Sequence, residues 1–139
     1  ANVEIREAVG DANFFLFGNT VEDIQALRGN YDPQAIINGD EDLKRVMDLL
    51  LSGHFNHFEP GIFDAVLQAI REPSDPWMTA ADFRSFVDAQ VAAGKAYRDE
   101  AHWTRMSILN TASSGHFSTD RTMRDYNDDI WHLEPIRLA

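Results

Sequence analysis

The spacing of the apolar residues from Leu43 onward is helical almost throughout, and it limits the fold more than any other feature. Leu43, Val46, Met47, Leu50 and Leu51 form one stripe, and Ile62, Phe63, Val66, Leu67 and Ile70 form the next. Pro73 and Pro76 interrupt the chain at EPSDPW. Phe83, Phe86 and Val87 mark another helix, for which Thr79, three residues before Asp82, is the expected cap. Further helical turns are expected from Ala92 to Tyr97 and from Trp103 to Ala112. A final helix carries Met123, Tyr126, Ile130 and Trp131, and Pro135 is expected to end it. Trp77, Trp103, Tyr126 and Trp131 fall on these stripes, so core packing is their expected role.

The N-terminal part reads differently. Asn13 to Gly18 (NFFLFG) is a continuous apolar run bounded by turn formers, which suits a short strand covered on both faces. Val3 to Ile5 is a second candidate strand, with Arg6 to Val9 as a helical turn between the two. Thr20 then caps a helix whose third position is Asp23, with Val21, Ile24 and Leu27 at helical spacing and a stop near Gly29. A strand, a glycine and a capped helix make half of a βαβ unit, but no second long strand comes after them. The expected fold class is therefore mainly α, with one or two short parallel strands near the N-terminus, in a single piece over residues 1–139.

A chain of 139 residues, 44% of them hydrophobic, can build a core of its own. No run of eighteen apolar residues occurs, and ANVEIREAVG has neither the basic start nor the apolar stretch of a secretory signal. With no cysteine there is no disulfide, thiolate nucleophile or sulfur-ligated metal. There are 23 acidic and 12 basic residues, a net charge of −11, and the basic ones are scattered. Nucleic acid and membrane surfaces are therefore not expected partners. The absence of cysteine and of any Asn-x-Ser/Thr sequon fits a cytoplasmic protein; the chain begins without methionine and enters a strand-like segment at once, so it is expected to be a cleaved or truncated piece.

Several clusters invite a chemical reading. SSGHFSTDR, between two helical stretches, offers hydroxyls, a glycine and an arginine near a helix N-terminus, where an anion is favoured. Asp120 already places a carboxylate there, and no Gly-x-Gly-x-x-Gly or Walker pattern accompanies it. Its core, Ser114-Gly115-His116-Phe117, repeats Ser52-Gly53-His54-Phe55. In each case a left-handed glycine just past a helix is the expected stop signal, so Gly115 is expected to matter for stability. Ser118 or Thr119 then caps the next helix, and Phe117 pins the turn. HFNH (His54 to His57) has metal-ligand spacing but sits in an expected loop with Glu59 as the only nearby carboxylate. The groups Asp40-Glu41-Asp42 and Asp125, Asp128, Asp129 lack the glycine and closing glutamate of an EF-hand loop. Asp125 and Asp129 repel each other across one helical turn unless Arg121 or Arg124 intervenes. No nucleophile stands beside a base in a readable motif.

Together, NFFLFGNTVEDI, DFRSFVDAQ, YRDEAHWTRMSILNTASSGHFSTDRTMRDYNDDIW and the LEP after it resemble the C-terminal end of the α-glucan phosphorylases. The likeness runs from Ala1 to about Pro135, in order and with similar spacing. It implies a pyridoxal-phosphate glycosyltransferase that cleaves terminal α-1,4 bonds of glycogen, starch or maltodextrin with inorganic phosphate, giving glucose 1-phosphate. It also implies a cytosolic homodimer of Rossmann-like (GT-B type) α/β domains, with this chain as the C-terminal part of the C-terminal one.

The resemblance places the cofactor lysine upstream of this chain, in a motif that neither Lys44 (DLKRV) nor Lys95 (AGKAY) matches. The phosphate- and substrate-binding residues also fall upstream. No catalytic, cofactor-binding or metal-ligating residue is therefore expected here, and the piece is expected to be inactive alone and to depend on the upstream remainder as its partner. Two scaffold segments depart from the pattern. WMTAADF stands where the family more often has tyrosine and larger apolar residues, and WHLEP lacks the usual glycine after tryptophan. Without the family, the residues alone fit a non-catalytic, acidic helical interaction module.

Overall fold

The computed structural model describes residues 2–134 and 136. Among the described residues eight α-helices occur in order: α1 (Asn2–Val9), α2 (Val21–Leu27), α3 (Pro33–Gly39), α4 (Glu41–Leu51), α5 (Asp64–Arg71), α6 (Thr79–Arg98), α7 (Glu100–Ser113) and α8 (Thr119–Tyr126). Short 3-10 turns occupy Asp11–Asn13 and Ser114–Phe117, and a π-turn over Asn127–Trp131 extends α8. Pro135, expected to end the final helix, lies outside the described residues.

No described residue lies in a β-strand, which overturns the expected parallel strands at Val3–Ile5 and Asn13–Gly18. Val3 to Ile5 belong to α1. Three alternating residues are too few to fix a period, and Glu4, Arg6, Glu7 and Ala8 add helix propensity. Gly10, at φ 80, ends that helix, and Asn13 Nδ2 donates to the Val9 carbonyl at 2.8 Å. Phe14 is extended (φ −142, ψ 137). Among the described residues, however, no second extended segment runs beside Phe14 to Phe17, and none of their N–H groups has an acceptor. A strand is defined by its ladder, and an apolar run without one is an extended segment.

The chain forms two compact units, one comprising Leu16–Ala92 and the other the residues up to Phe15 together with those from Ala93 on. In the first, Ile37, Leu43, Met47, Leu67, Met78, Ala80 and Tyr31 make the core. The two sequence stripes supply its centre. Leu43, Met47 and Leu67 are buried, Leu50, Phe63 and Ile70 pack partly against them, and Val46, Leu51, Ile62 and Val66 stay exposed. Thr20 and Asp23 form the expected capping box on α2, the Thr20 hydroxyl accepting the Asp23 N–H at 3.2 Å. Asp32 caps α3, which begins with Pro33, and Asp40 caps α4 by accepting the N–H groups of Asp42 and Leu43.

Thr79 is the first residue of α6 and not its cap. Asp75 takes that role, its carboxylate accepting the N–H groups of Trp77 at 2.9 Å and Thr79 at 2.8 Å. Asp82, the residue expected to pair with a Thr79 cap, is committed to Asn19 instead. The turns expected separately from Ala92 to Tyr97 merge into the 20-residue α6.

In the other unit, α1 lies against α7. Ser113 Oγ donates to the Ala8 carbonyl at 3.2 Å, and Asn110 Nδ2 donates to the carbonyls of Asn13 and Met106 at 3.1 and 3.0 Å. Phe15 stacks on Trp103 with ring centroids 6.3 Å apart, and Tyr97 meets the same indole edge-on at 5.2 Å. Among the described residues of this unit, Val9 and Met106 are the buried apolar side chains.

Candidate functional site

The SSGHFSTDR wedge has the polar groups of an anion cradle, but most of them already have partners, the buried Arg121 Nε being an exception. Ser114 Oγ donates to the Thr111 carbonyl at 2.7 Å, and Ser118 caps α8 by accepting the Arg121 N–H at 3.3 Å. The Arg121 guanidinium lies 2.7 Å from His116 Nδ1 and 3.3 Å from Asp125. Arg121 thus pairs with Asp125, while Asp129 lies beyond the end of α8, in the π-turn. With Asp120 in the first turn of α8, the wedge is a helix junction.

The expectation that both SGHF copies stop a helix in the same way fails. Gly53 is left-handed (φ 80), whereas Gly115 has no positive φ and lies inside a 3-10 turn. The difference arises from the residues just downstream of each copy. After Gly53 the chain loops back, the Phe58 N–H donating to the Gly53 carbonyl at 3.0 Å, whereas after Gly115 the Ser118 cap starts the next helix within three residues. Each copy does keep an edge-on His–Phe contact, at 4.9 Å for His54–Phe55 and 5.1 Å for His116–Phe117. Phe117 is half exposed, so it does not pin the turn by burial.

The remaining candidate clusters also have structural partners or lie open to solvent. His54 and His57 of HFNH are both exposed, and the left-handed backbone at His57 (φ 49) and Phe58 (φ 61) turns the loop there. Among the described residues no three His, Asp or Glu side chains converge as metal ligands. Asp40 and Asp42 are joined by Arg84, which reaches Asp40 at 2.6 Å and Asp42 at 2.9 Å. The Arg84 guanidinium, then the Leu43 N–H, hold the Asp40 carboxyl below its ordinary range. Lys44 and Lys95 are exposed on helices. Trp77, expected in a stripe, lies in the turn before α6 and is 79% exposed.

One tie has no signal in the sequence. Gly18 N–H donates to Ser85 Oγ at 2.9 Å, while Asp82 Oδ1 accepts both the backbone N–H of Asn19 at 2.9 Å and its side-chain amide at 2.7 Å. Phe17 meets Phe86 edge-on at 5.1 Å, so Asp82, Ser85 and Phe86 on α6 together fix the end of the FFLF segment. Asp82 and Ser85 share a helical face, but nothing in their spacing names a partner more than sixty residues away.

Two cavities accompany these features. One, of about 440 Å³, lies in the Leu16–Ala92 unit beside Arg28, Tyr31 and Asp75. The other, of about 370 Å³, lies in the other unit beside Phe15, Trp103, Met106 and Asn110.

The family model described as "Carbohydrate phosphorylase" matches residues 1–133. The chain is 44% identical over 137 residues to a glycogen phosphorylase of Synechocystis, an overlap of 98% of this chain and 16% of that protein. It is 38% identical over 133 residues to the glycogen phosphorylase of Chlamydia pneumoniae, covering 96% of this chain and again 16% of the relative. To the alpha-1,4 glucan phosphorylase L-1 isozyme of Solanum tuberosum, described as chloroplastic/amyloplastic, it is 38% identical over 149 residues, with 100% of this chain and 14% of the relative covered. The chain thus spans about a sixth of the length of such relatives. With its matched residues running through all eight helices, the chain belongs to the carbohydrate phosphorylase family.

Proposed function

We propose that this chain is a structural part, from the C-terminal domain, of an α-glucan phosphorylase that cleaves terminal α-1,4 bonds with inorganic phosphate and releases glucose 1-phosphate. The observation that carries this reading is the match over 98% of the chain to a glycogen phosphorylase of which it covers only 16%. The whole enzyme is a cytoplasmic homodimer, and the remainder of its own chain is this piece's partner. No helix among the described residues is long and apolar enough to cross a membrane.

Pyridoxal phosphate is the cofactor of the whole enzyme, and the residues present here do not fit it. A Schiff base needs a lysine in a recess. Lys44 and Lys95 are exposed on helices, and neither lines the 440 Å³ or the 370 Å³ cavity. The chain's own part in the reaction is support, and its exposed apolar side chains, among them Leu51, Val66, Ile130 and Trp131, are surface for the remainder to cover.

The test is to assay the isolated chain and the full-length protein in parallel for glucose 1-phosphate release from maltoheptaose and phosphate. Release by the full-length protein alone is expected. Release by the isolated chain would overturn the supporting role.

A further inference from the structure

The chain passes between its two units twice, from Phe15 to Leu16 and back from Ala92 to Ala93. At the first crossing each side is anchored to its own unit. Phe15 stacks on Trp103 in one unit, while Phe17 meets Phe86 and the Gly18 N–H donates to Ser85 Oγ within the Leu16–Ala92 unit. Leu16 lies between these anchors, 54% exposed, in an extended segment whose N–H groups have no acceptor among the described residues. The backbone bonds that stiffen a helix or a ladder are thus missing where the chain changes unit.

The second crossing lies inside a helix. α6 runs from Thr79 to Arg98, and Gly94 stands in its interior, two residues after Ala92. Upstream of the crossing α6 is tied by Asp82, Ser85 and Phe86, and by Arg84, which reaches Asp40 and Asp42. Downstream, Tyr97 packs against Trp103. Between these ties Val91, Ala92, Gly94 and Lys95 are exposed. Glycine weakens a helix interior relative to alanine, because its backbone has more freedom to lose. Nothing local requires it here: its φ is not positive, and a Cβ would meet nothing within 4 Å. Gly94 therefore loosens α6 without a steric purpose, close to where the helix passes from one unit to the other.

We propose that Leu16 and Gly94 are the two links of a hinge, α6 bending at Gly94 as the Leu16–Ala92 unit turns about the line that joins them.

The experiment uses the full-length protein and reads amide hydrogen exchange by peptide mass spectrometry. The amides of residues 95–98 donate to the carbonyls of residues 91–94 in a regular helix, and they are expected to exchange faster than those of residues 86–90. Gly94→Ala is expected to slow them about two- to fivefold. A second measurement reads the motion itself, by pulsed electron resonance between spin labels at Lys44→Cys and Arg105→Cys, one in each unit. This chain has no cysteine of its own, and any elsewhere in the protein is replaced by serine. The hinge should give a broad distance distribution that narrows in Gly94→Ala. Exchange at residues 95–98 no faster than at 86–90, or unaltered by Gly94→Ala, overturns the proposal. So does a single narrow distance without the Gly94 substitution, or a distribution that Gly94→Ala leaves unchanged.

Discussion

Asp82 Oδ1 receives both the backbone N–H and the side-chain amide of Asn19, at 2.9 and 2.7 Å. One carboxylate oxygen on α6 thereby fixes the chain where the extended FFLF segment turns into α2, in a partly buried setting where water competes weakly. Replacing Asp82 with Ala removes two charge-assisted bonds and should cost about 1.5–3 kcal/mol. Asp82→Asn should cost less. Amide hydrogen exchange at Asn19 is the measurement to make, and unchanged protection there in Asp82→Ala would show that the tie carries no stability.

The two SGHF glycines should respond in opposite ways to alanine. At Gly53 (φ 80) a Cβ would lie 2.7 Å from Phe58 Cδ1 and 3.1 Å from its Cα, so strain and clash combine. Gly53→Ala should destabilise by about 1–3 kcal/mol. At Gly115 the φ is not positive and a Cβ would meet nothing within 4 Å. Gly115→Ala should therefore be neutral or stabilise by about 0.4–1 kcal/mol. Thermal melts of the two variants side by side decide the matter, and equal losses would restore the shared-stop reading.

Asp40 gives the fold an acid-sensitive joint. Its folded carboxyl lies below the ordinary value of 3.8, first through the Arg84 guanidinium and then through the Leu43 N–H. A depressed carboxyl contributes stability that is complete above about pH 5 and is lost as pH falls through 3.8 toward the folded value. Asp40→Asn keeps a capping side chain but removes the charge, so it should flatten the stability profile below about pH 5. Arg84→Ala should flatten the same limb, and the double variant should change it little further. Additive effects in an acid-denaturation series would mean that the two residues act independently.

Features that depend on near neighbours were readable from the sequence. The capping box at Thr20 and Asp23 and the burial of Leu43, Met47 and Leu67 come from spacing alone. The strand reading of the NFFLFG run fails because a continuous apolar stretch reports burial tendency and says nothing of a ladder partner. The cap reading of Thr79 fails because Asp82, its apparent companion, bonds Asn19 instead. The SGHF repeats show the same limit from another side, four identical residues taking two backbone shapes under the control of their downstream neighbours. The long WTRMSILNTASSGHFSTDRT block did identify the family, while the pairing of its own side chains, Arg121 with His116 and Asp125, could be seen only in three dimensions.

The π-turn at the end of α8 makes the chain beyond it sensitive to residue count. His132 N–H reaches back five residues to the Asn127 carbonyl at 2.7 Å, and the rings of Tyr126 and Trp131 meet edge-on at 5.5 Å. Residues five apart on an ordinary α-helix stand about 140° apart around the axis and cannot touch. The widened turn therefore holds one residue more than an α-helical turn would, and it is this extra residue that brings the two aromatics onto one face. Deleting any one residue between Asn127 and Ile130 would let the helix close normally and would swing everything after it by about 100°. Along most of a surface loop a one-residue deletion changes only length. Here it would change phase, and the tail beyond Trp131 would face a different direction with its composition untouched.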